Sequence, residues 1–349
     1  METIQRFLRH SGFSSQVARF LAHDKRPSTS INYQHKWKVY RKWCRDHGHT
    51  VSNPTVQKIA DFLVHLRQDC NLSTSAIKGY KAVLNGVFAI RGLDLNKDQV
   101  LRSIVKACSS QPRRPARGPR PSWNLDVVLR YLSKAPFEPL RLSSTRDLTR
   151  KTLFLLALAT AQRVGEIQAL SSRTSWQGPD LMVCYLPEFI AKTDTGVHCT
   201  PREFRIKSLT SIVGSADEEL LLCPVRALRH YLQRTSSDAR PRNLFLAVKG
   251  PSRPMSKAAI SYFLRDTIKS AHEAVSASTC LEVKVKAHDI RGIAASMLLW
   301  KNCSVPSILQ AARWRTHSVF ADHYLRDVAR EDEDVFSLGP VVAAGHVLD

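Results

Sequence analysis

The segment from Ser109 to Pro121 most constrains how this chain can fold, because it holds four prolines and four arginines, no acid and no apolar periodicity. Proline lacks a backbone donor and disfavours helix in the residue before it, so the stretch cannot carry a helix across it. It reads as an extended, semi-rigid linker. A chain of 349 residues is also too long for one ordinary core. The organisation expected is therefore an N-terminal extension over 1–27, a helical domain over 28–108, a linker over 109–122, a second domain over 123–330 and a tail over 331–349.

Apolar residues in the first domain recur at helical spacing, as in Tyr33, Trp37, Tyr40 and Trp43, and again in Ile59, Phe62, Leu63 and Leu66. Ser28 or Thr29 can cap the first helix, Asn53-Pro54-Thr55 opens the second, and Ser73 or Thr74 caps a third that carries Ile77, Tyr80, Val83 and Leu84. A bundle of four or five helices is predicted. In the second domain, 125–132 and 147–170 read as helices, the latter strongly apolar. Residues 181–186 and 202–206 have strand composition and are joined by a turn-like stretch with Thr193, Asp194, Thr195 and Gly196. Helices resume at 224–233, 257–271, 289–300, 305–312 and 318–330. The fold class is thus mainly α with a small antiparallel β-sheet.

Lys and Arg number 52 against 30 Asp and Glu, a formal charge of +22. A polyanionic partner is the simplest reason for such an excess, and nucleic acid is the polyanion favoured. A membrane partner is disfavoured, since no apolar run approaches the roughly 20 residues of a spanning helix and no signal-peptide pattern opens the chain. Lys36 and Lys78 lie between apolar helix positions, where they serve either a DNA face or an ordinary solvated one. Arg113, Arg114, Arg117 and Arg120 on the linker suit a strap laid across phosphates, or merely keep it soluble. Eight scattered cysteines with no C-x-x-C pair argue against a zinc module and read as reduced thiols of an intracellular protein.

The chemistry-bearing residues stand far apart in sequence. Arg163 precedes Val164-Gly165-Glu166, so Glu166 can orient its guanidinium from three residues on, or the two form an ordinary helix-surface pair. His288-Asp289-Ile290-Arg291 precedes an apolar helix, with Asp289 as the expected N-cap, which projects His288 and Arg291 at a helix start that favours anions. Lys192 sits at the strand turn, with Lys207 as a competitor, and Trp314 stands ten residues before Tyr324, which shares a helix face with Phe320. Two arginines, a lysine, a histidine and a tyrosine meet the needs of a metal-free phosphodiester transesterification. The cations neutralise the phosphate oxygens while a phenol attacks and an alkoxide leaves. No metal and no cofactor is called for.

In the order Arg163, Lys192, His288-x-x-Arg291, Trp314 and Tyr324, these segments resemble the tyrosine recombinase (phage-integrase) family. The resemblance implies that 28–108 is a SAM-like core-binding domain and 123–330 the catalytic domain, together clamping duplex DNA. It gives the phosphate to Arg163 and Arg291, support of the arginine to Glu166 and assistance in proton transfer to His288. Protonation of the leaving 5′ oxygen falls to Lys192 and nucleophilic attack to Tyr324, with Trp314 in the supporting position. It implies a homotetramer on double-stranded DNA. The segment 311–314 with Phe320 and Tyr324 looks most like recombinases of eukaryotic mobile elements, DIRS-type retrotransposons and Cryptons, from which nuclear localisation follows. The expected function is site-specific recombination or integration. A non-catalytic DNA-binding derivative and a type IB topoisomerase-like relaxing enzyme are the alternatives.

Overall fold

The structure, a computed structural model, describes residues 2–10, 12–23, 27–51, 54–110, 123–191, 194, 202–210, 218–250, 252–275, 285–300 and 304–306. It divides into two compact units, Met1–Gly118 and Pro119–Asp349. Among the described residues it is mainly helical, with one three-stranded antiparallel sheet, and no helix there is long and apolar enough to cross a membrane.

The first unit begins with α1 (Glu2–His10) and α2 (Ser15–His23), which the sequence pattern does not mark as helices. Both contribute to the core, through Leu8 and Ala18. Helix α3 spans Pro27–Asp46, so Ser28 and Thr29 lie within its first turn rather than capping it. Proline suits such a helix start, because its missing N–H is not needed there and its φ is already helical. Helices α4 (Val56–Gln68) and α5 (Thr74–Phe88) open as expected, the Thr55 and Ser73 side chains accepting from the backbone N–H groups of Lys58 and Ala76. Helix α6 (Gln99–Ser110) completes the unit. Trp37, Tyr40 and Trp43 recur every three residues along α3 and meet Phe62 of α4 and Phe88 of α5, with the Tyr40 and Phe62 rings edge-on at 5.0 Å.

In the second unit α7 (Leu125–Leu132) is capped by Asn124, whose side chain accepts from Asp126 and Val127. Helix α8 (Thr145–Thr160) is buried along its whole length from Leu148. Helices α10 (Pro224–Arg234), α11 (Lys257–Val275) and α12 (Asp289–Trp300) pack against it. Between these elements lie the five-residue α9 (Val164–Gln168) and the strands β1 (Leu170–Gln177), β2 (Asp180–Tyr185) and β3 (Glu203–Ile206). The strands pair in the order β1-β2-β3, with Trp176 opposite Leu181 and Leu181 opposite Ile206.

Two differences from the sequence reading bear on function. The single helix expected over 147–170 is two helices, with a break at 161–163, and the chain then enters β1, for which no strand was predicted. Burial explains the second miss: only the first two residues of β1 are buried and its outer half is exposed, so the strand lacks the alternation that marks a half-buried one.

Candidate active site

The break after α8 creates the site. Ala161 adopts a left-handed conformation (φ 46°, ψ 28°), which ends the helix and costs a non-glycine residue ~1–2 kcal/mol. Two residues later Arg163 takes extended backbone as the N-cap of α9. Here the acid at the third helical position, Glu166, reaches back to the cap. One carboxylate oxygen accepts from the backbone N–H of Arg163 at 2.8 Å, and the other accepts from its guanidinium Nη1, also at 2.8 Å. Backbone and side chain of Arg163 are thus held by one buried carboxylate.

That carboxylate has a second cation. Nη1 of Arg291, on the first turn of α12, stands 3.7 Å from the Glu166 oxygen that binds the Arg163 backbone. The two arginines differ in access: the Arg291 side chain is 2 % exposed, whereas that of Arg163 is 22 % exposed. A planar guanidinium carries five donors in a fixed fork, and among the described residues Arg163 spends only one side-chain contact, on Glu166. The rest of the fork is available to an anion. With two guanidinium groups and one carboxylate, the three side chains also carry a net positive charge that an anion would offset.

Asp289 is not the N-cap expected of it. It is already helical, and its carboxylate accepts from the Lys286 backbone N–H at 2.9 Å, closing the turn in which His288 sits exposed. His288 and Arg291 therefore leave the start of α12 differently, the histidine toward solvent and the arginine into the protein.

The remaining expectations divide sharply. Lys192, Trp314 and Tyr324, and Arg113, Arg114, Arg117 and Arg120 of the linker, lie outside the described residues. Lys207, the competitor of Lys192, directly follows β3 and is half-buried. Lys78 is exposed on α5. Lys36 is half-buried: its ammonium sits 5.3 Å from the centre of the Tyr80 ring and fills the space where Gly79 would carry a Cβ. Burial lowers the pKa of that ammonium. One cation near the arginines was passed over by the motif reading. The Lys257 ammonium, at the start of α11, is 3.6 Å from where a Cβ on Gly165 would stand. No local pattern marks it, since its position follows from the packing of α11 on α9.

No family model matches the chain, and no curated protein does. Solved structures do. A lambda integrase fragment, crystallised as a dimer bound to a COC′ core site, matches over 90% of this chain and 94% of that one, at 17% identity and a TM-score of 0.52. The Tn1549 transposon integrase in complex with transposon right end DNA matches over 94% and 95%, at 12% identity and a TM-score of 0.55. The same integrase with a circular intermediate DNA matches over 96% of each chain, at 13% identity and a TM-score of 0.53. At such identities the likeness is one of fold.

Proposed function

We propose that the chain is a site-specific DNA recombinase or integrase that acts through a tyrosine nucleophile on double-stranded DNA. The observation that carries this reading is the Glu166 carboxylate shared by Arg163 and Arg291, motif arginines from distant segments, in a fold similar to DNA-bound integrases. Lysine-rich or arginine-rich surfaces attract DNA without chemistry. A buried carboxylate that orients a half-open guanidinium is an arrangement for gripping one phosphate in a fixed pose.

In the proposed reaction the scissile phosphate lies on Arg163 and Arg291, whose positive charge offsets the charge that builds on its non-bridging oxygens. The Tyr324 phenol attacks phosphorus as its proton passes to a base. The bond to the 5′ oxygen breaks, and Lys192 gives that oxygen a proton, with His288 assisting proton transfer or binding a phosphate oxygen. One phosphodiester becomes a 3′-phosphotyrosine and a free 5′ hydroxyl. The hydroxyl of a partner strand then reverses the sequence, so the bond is exchanged with no external energy source. A homotetramer on DNA, a mobile-element origin and a nuclear location belong to this reading.

The test is a covalent adduct. The protein and its Tyr324→Phe variant are incubated in EDTA with nicked suicide duplexes drawn from a sequence library and run on a denaturing gel. An EDTA-resistant adduct made by the wild type alone is expected. DNA binding without an adduct on any duplex would favour a non-catalytic DNA-binding protein, and an adduct from the variant would remove Tyr324 from its role.

A further inference from the structure

From Ala239 to Arg265 the chain carries no acidic residue, while Arg240, Arg242, Lys249, Arg253, Lys257 and Arg265 are basic. Three of these are committed within the protein. Arg240 lies over the Tyr231 ring and donates to Thr235 and to the Leu244 carbonyl. Arg242 pairs with Glu188, and Arg265 donates to the Ser261 carbonyl. Lys249, Arg253 and Lys257 are exposed, and among the described residues none has a carboxylate partner; Arg253 donates only to the Lys249 carbonyl beside it, at 3.5 Å. Some cations of this unit are instead matched by carboxylates, as Arg146 and Arg150 are by Asp266, or Arg226 and Lys151 by Glu138.

The three lie close together in sequence, and the described residues around them are tied to one another. An antiparallel bridge joins Leu246 to Pro254, with Ala247 N–H donating to the Arg253 carbonyl at 2.9 Å and Arg253 N–H to that of Gly250 at 3.2 Å. Gly250, at a φ of +82°, makes the turn, and the Arg253 guanidinium comes within 3.4 Å of where its Cβ would stand. Just upstream the segment is tied to the site: Asn243 donates to the Gln168 carbonyl at the end of α9, and Leu244 N–H to that of Leu170. Downstream it ends at Lys257, whose ammonium lies beside Gly165, between Arg163 and Glu166 in sequence.

We propose that Lys249, Arg253 and Lys257 form a phosphate-binding ridge that continues the arginine site outward and takes backbone phosphates flanking the scissile one. The inference rests on the proposed DNA reading and specifies where the strand leaves the site. Exposed cations without carboxylate partners contribute little to folding, but each phosphate they neutralise releases a counterion, and that is seen directly in the salt dependence of binding.

The test measures binding of the full chain to a duplex of arbitrary sequence between about 50 and 200 mM salt. The Lys249→Gln/Arg253→Gln/Lys257→Gln variant should lose about 2–3 units of slope in log K against log salt, and each single variant about 1. Lys257→Arg should keep the wild-type slope. So should Lys269→Gln, an exposed position about 18 Å further along α11. Thermal denaturation of each variant guards against misfolding, and the single variants stand if the triple one does not fold. Wild-type slopes in the single and triple variants would overturn the ridge while leaving the recombinase reading intact. Wild-type protein that binds no duplex and forms no adduct would overturn both.

Discussion

Two carboxylates in the second unit each face a pair of cations, and they do opposite things with them. Glu138 is closed. Lys151, fully buried, donates to it at 2.5 Å and to the Leu132 carbonyl, while Arg226 grips both its oxygens at 2.6 and 2.9 Å. Both terminal nitrogens of Arg226 are spent on this carboxylate, although its side chain is 33 % exposed, and the three side chains tie α8 and α10 to the loop that carries Glu138. Glu166 has the same ingredients but one partner that is only half engaged, since among the described residues Arg163 gives the carboxylate Nη1 alone and keeps the rest of its fork. Composition does not separate a structural knot from an anion site. What separates them is how many donors remain after the carboxylate has been satisfied.

The comparison breaks most visibly if Glu138 is removed. Glu138→Ala leaves a lysine and an arginine without their buried counterion, and a loss of about 3–5 kcal/mol in unfolding free energy is expected by chemical denaturation. A loss under about 1 kcal/mol would mean that the knot is not one. Arg163→Ala should do the reverse. Cleavage of a suicide duplex should fall about 100- to 1000-fold, as for loss of a donor to transition-state charge, while unfolding free energy falls by less than in Glu138→Ala, because Glu166 keeps the Arg163 backbone N–H and the Arg291 charge. If the variant instead unfolds, Arg163 is structural.

Acid sharpens the contrast further. Burial works against the Glu138 carboxylate, but the hydrogen bonds from Arg226 and Lys151 outweigh it and hold its pKa below the ordinary 4.5. Its stabilisation is therefore complete above about pH 4.5 and is lost as pH falls through the lower folded-state value. Unfolding free energy followed from pH 6 down to pH 3 should drop less steeply in Glu138→Gln than in the wild type; parallel curves would show that the carboxylate is not the source. On the other side of the pair, burial pushes the Lys151 ammonium down to about 8 against the pull of Glu138. The smallest effect expected comes from replacing a fork by a point charge. Arg226→Lys should cost about 1 kcal/mol of stability, since one ammonium cannot meet both oxygens. Arg163→Lys should leave stability unchanged and slow cleavage, and equal stability losses would erase the distinction.

Where local signals and tertiary packing agree, the sequence is readable. Helices α7 and α12 lie where apolar spacing and flanking residues place them, over 125–132 and 289–300, and α4 and α5 begin at their Thr55 and Ser73 caps. The break between α8 and α9 is not readable, because Ala161, Gln162 and Arg163 include neither glycine nor proline and every one of them is compatible with a helix. Helix α2 is hard for a different reason: it is short and leaves Val17, Phe20 and Leu21 exposed, so no clean apolar face marks it. At the site, Arg163 and Glu166 announce each other from three residues away. That the same carboxylate also meets Arg291 depends on how α12 lies against α8, and no local window contains both helices.

The burial of α8 has a consequence for the time axis. Its residues from Leu148 to Thr160 are all buried, so its amides should exchange with solvent only when the whole unit opens, among the slowest in the protein. Arg163 begins three residues after the end of that helix. Its backbone N–H and guanidinium are both held by the buried Glu166 carboxylate, so the guanidinium should wait in place between encounters instead of being assembled at each one.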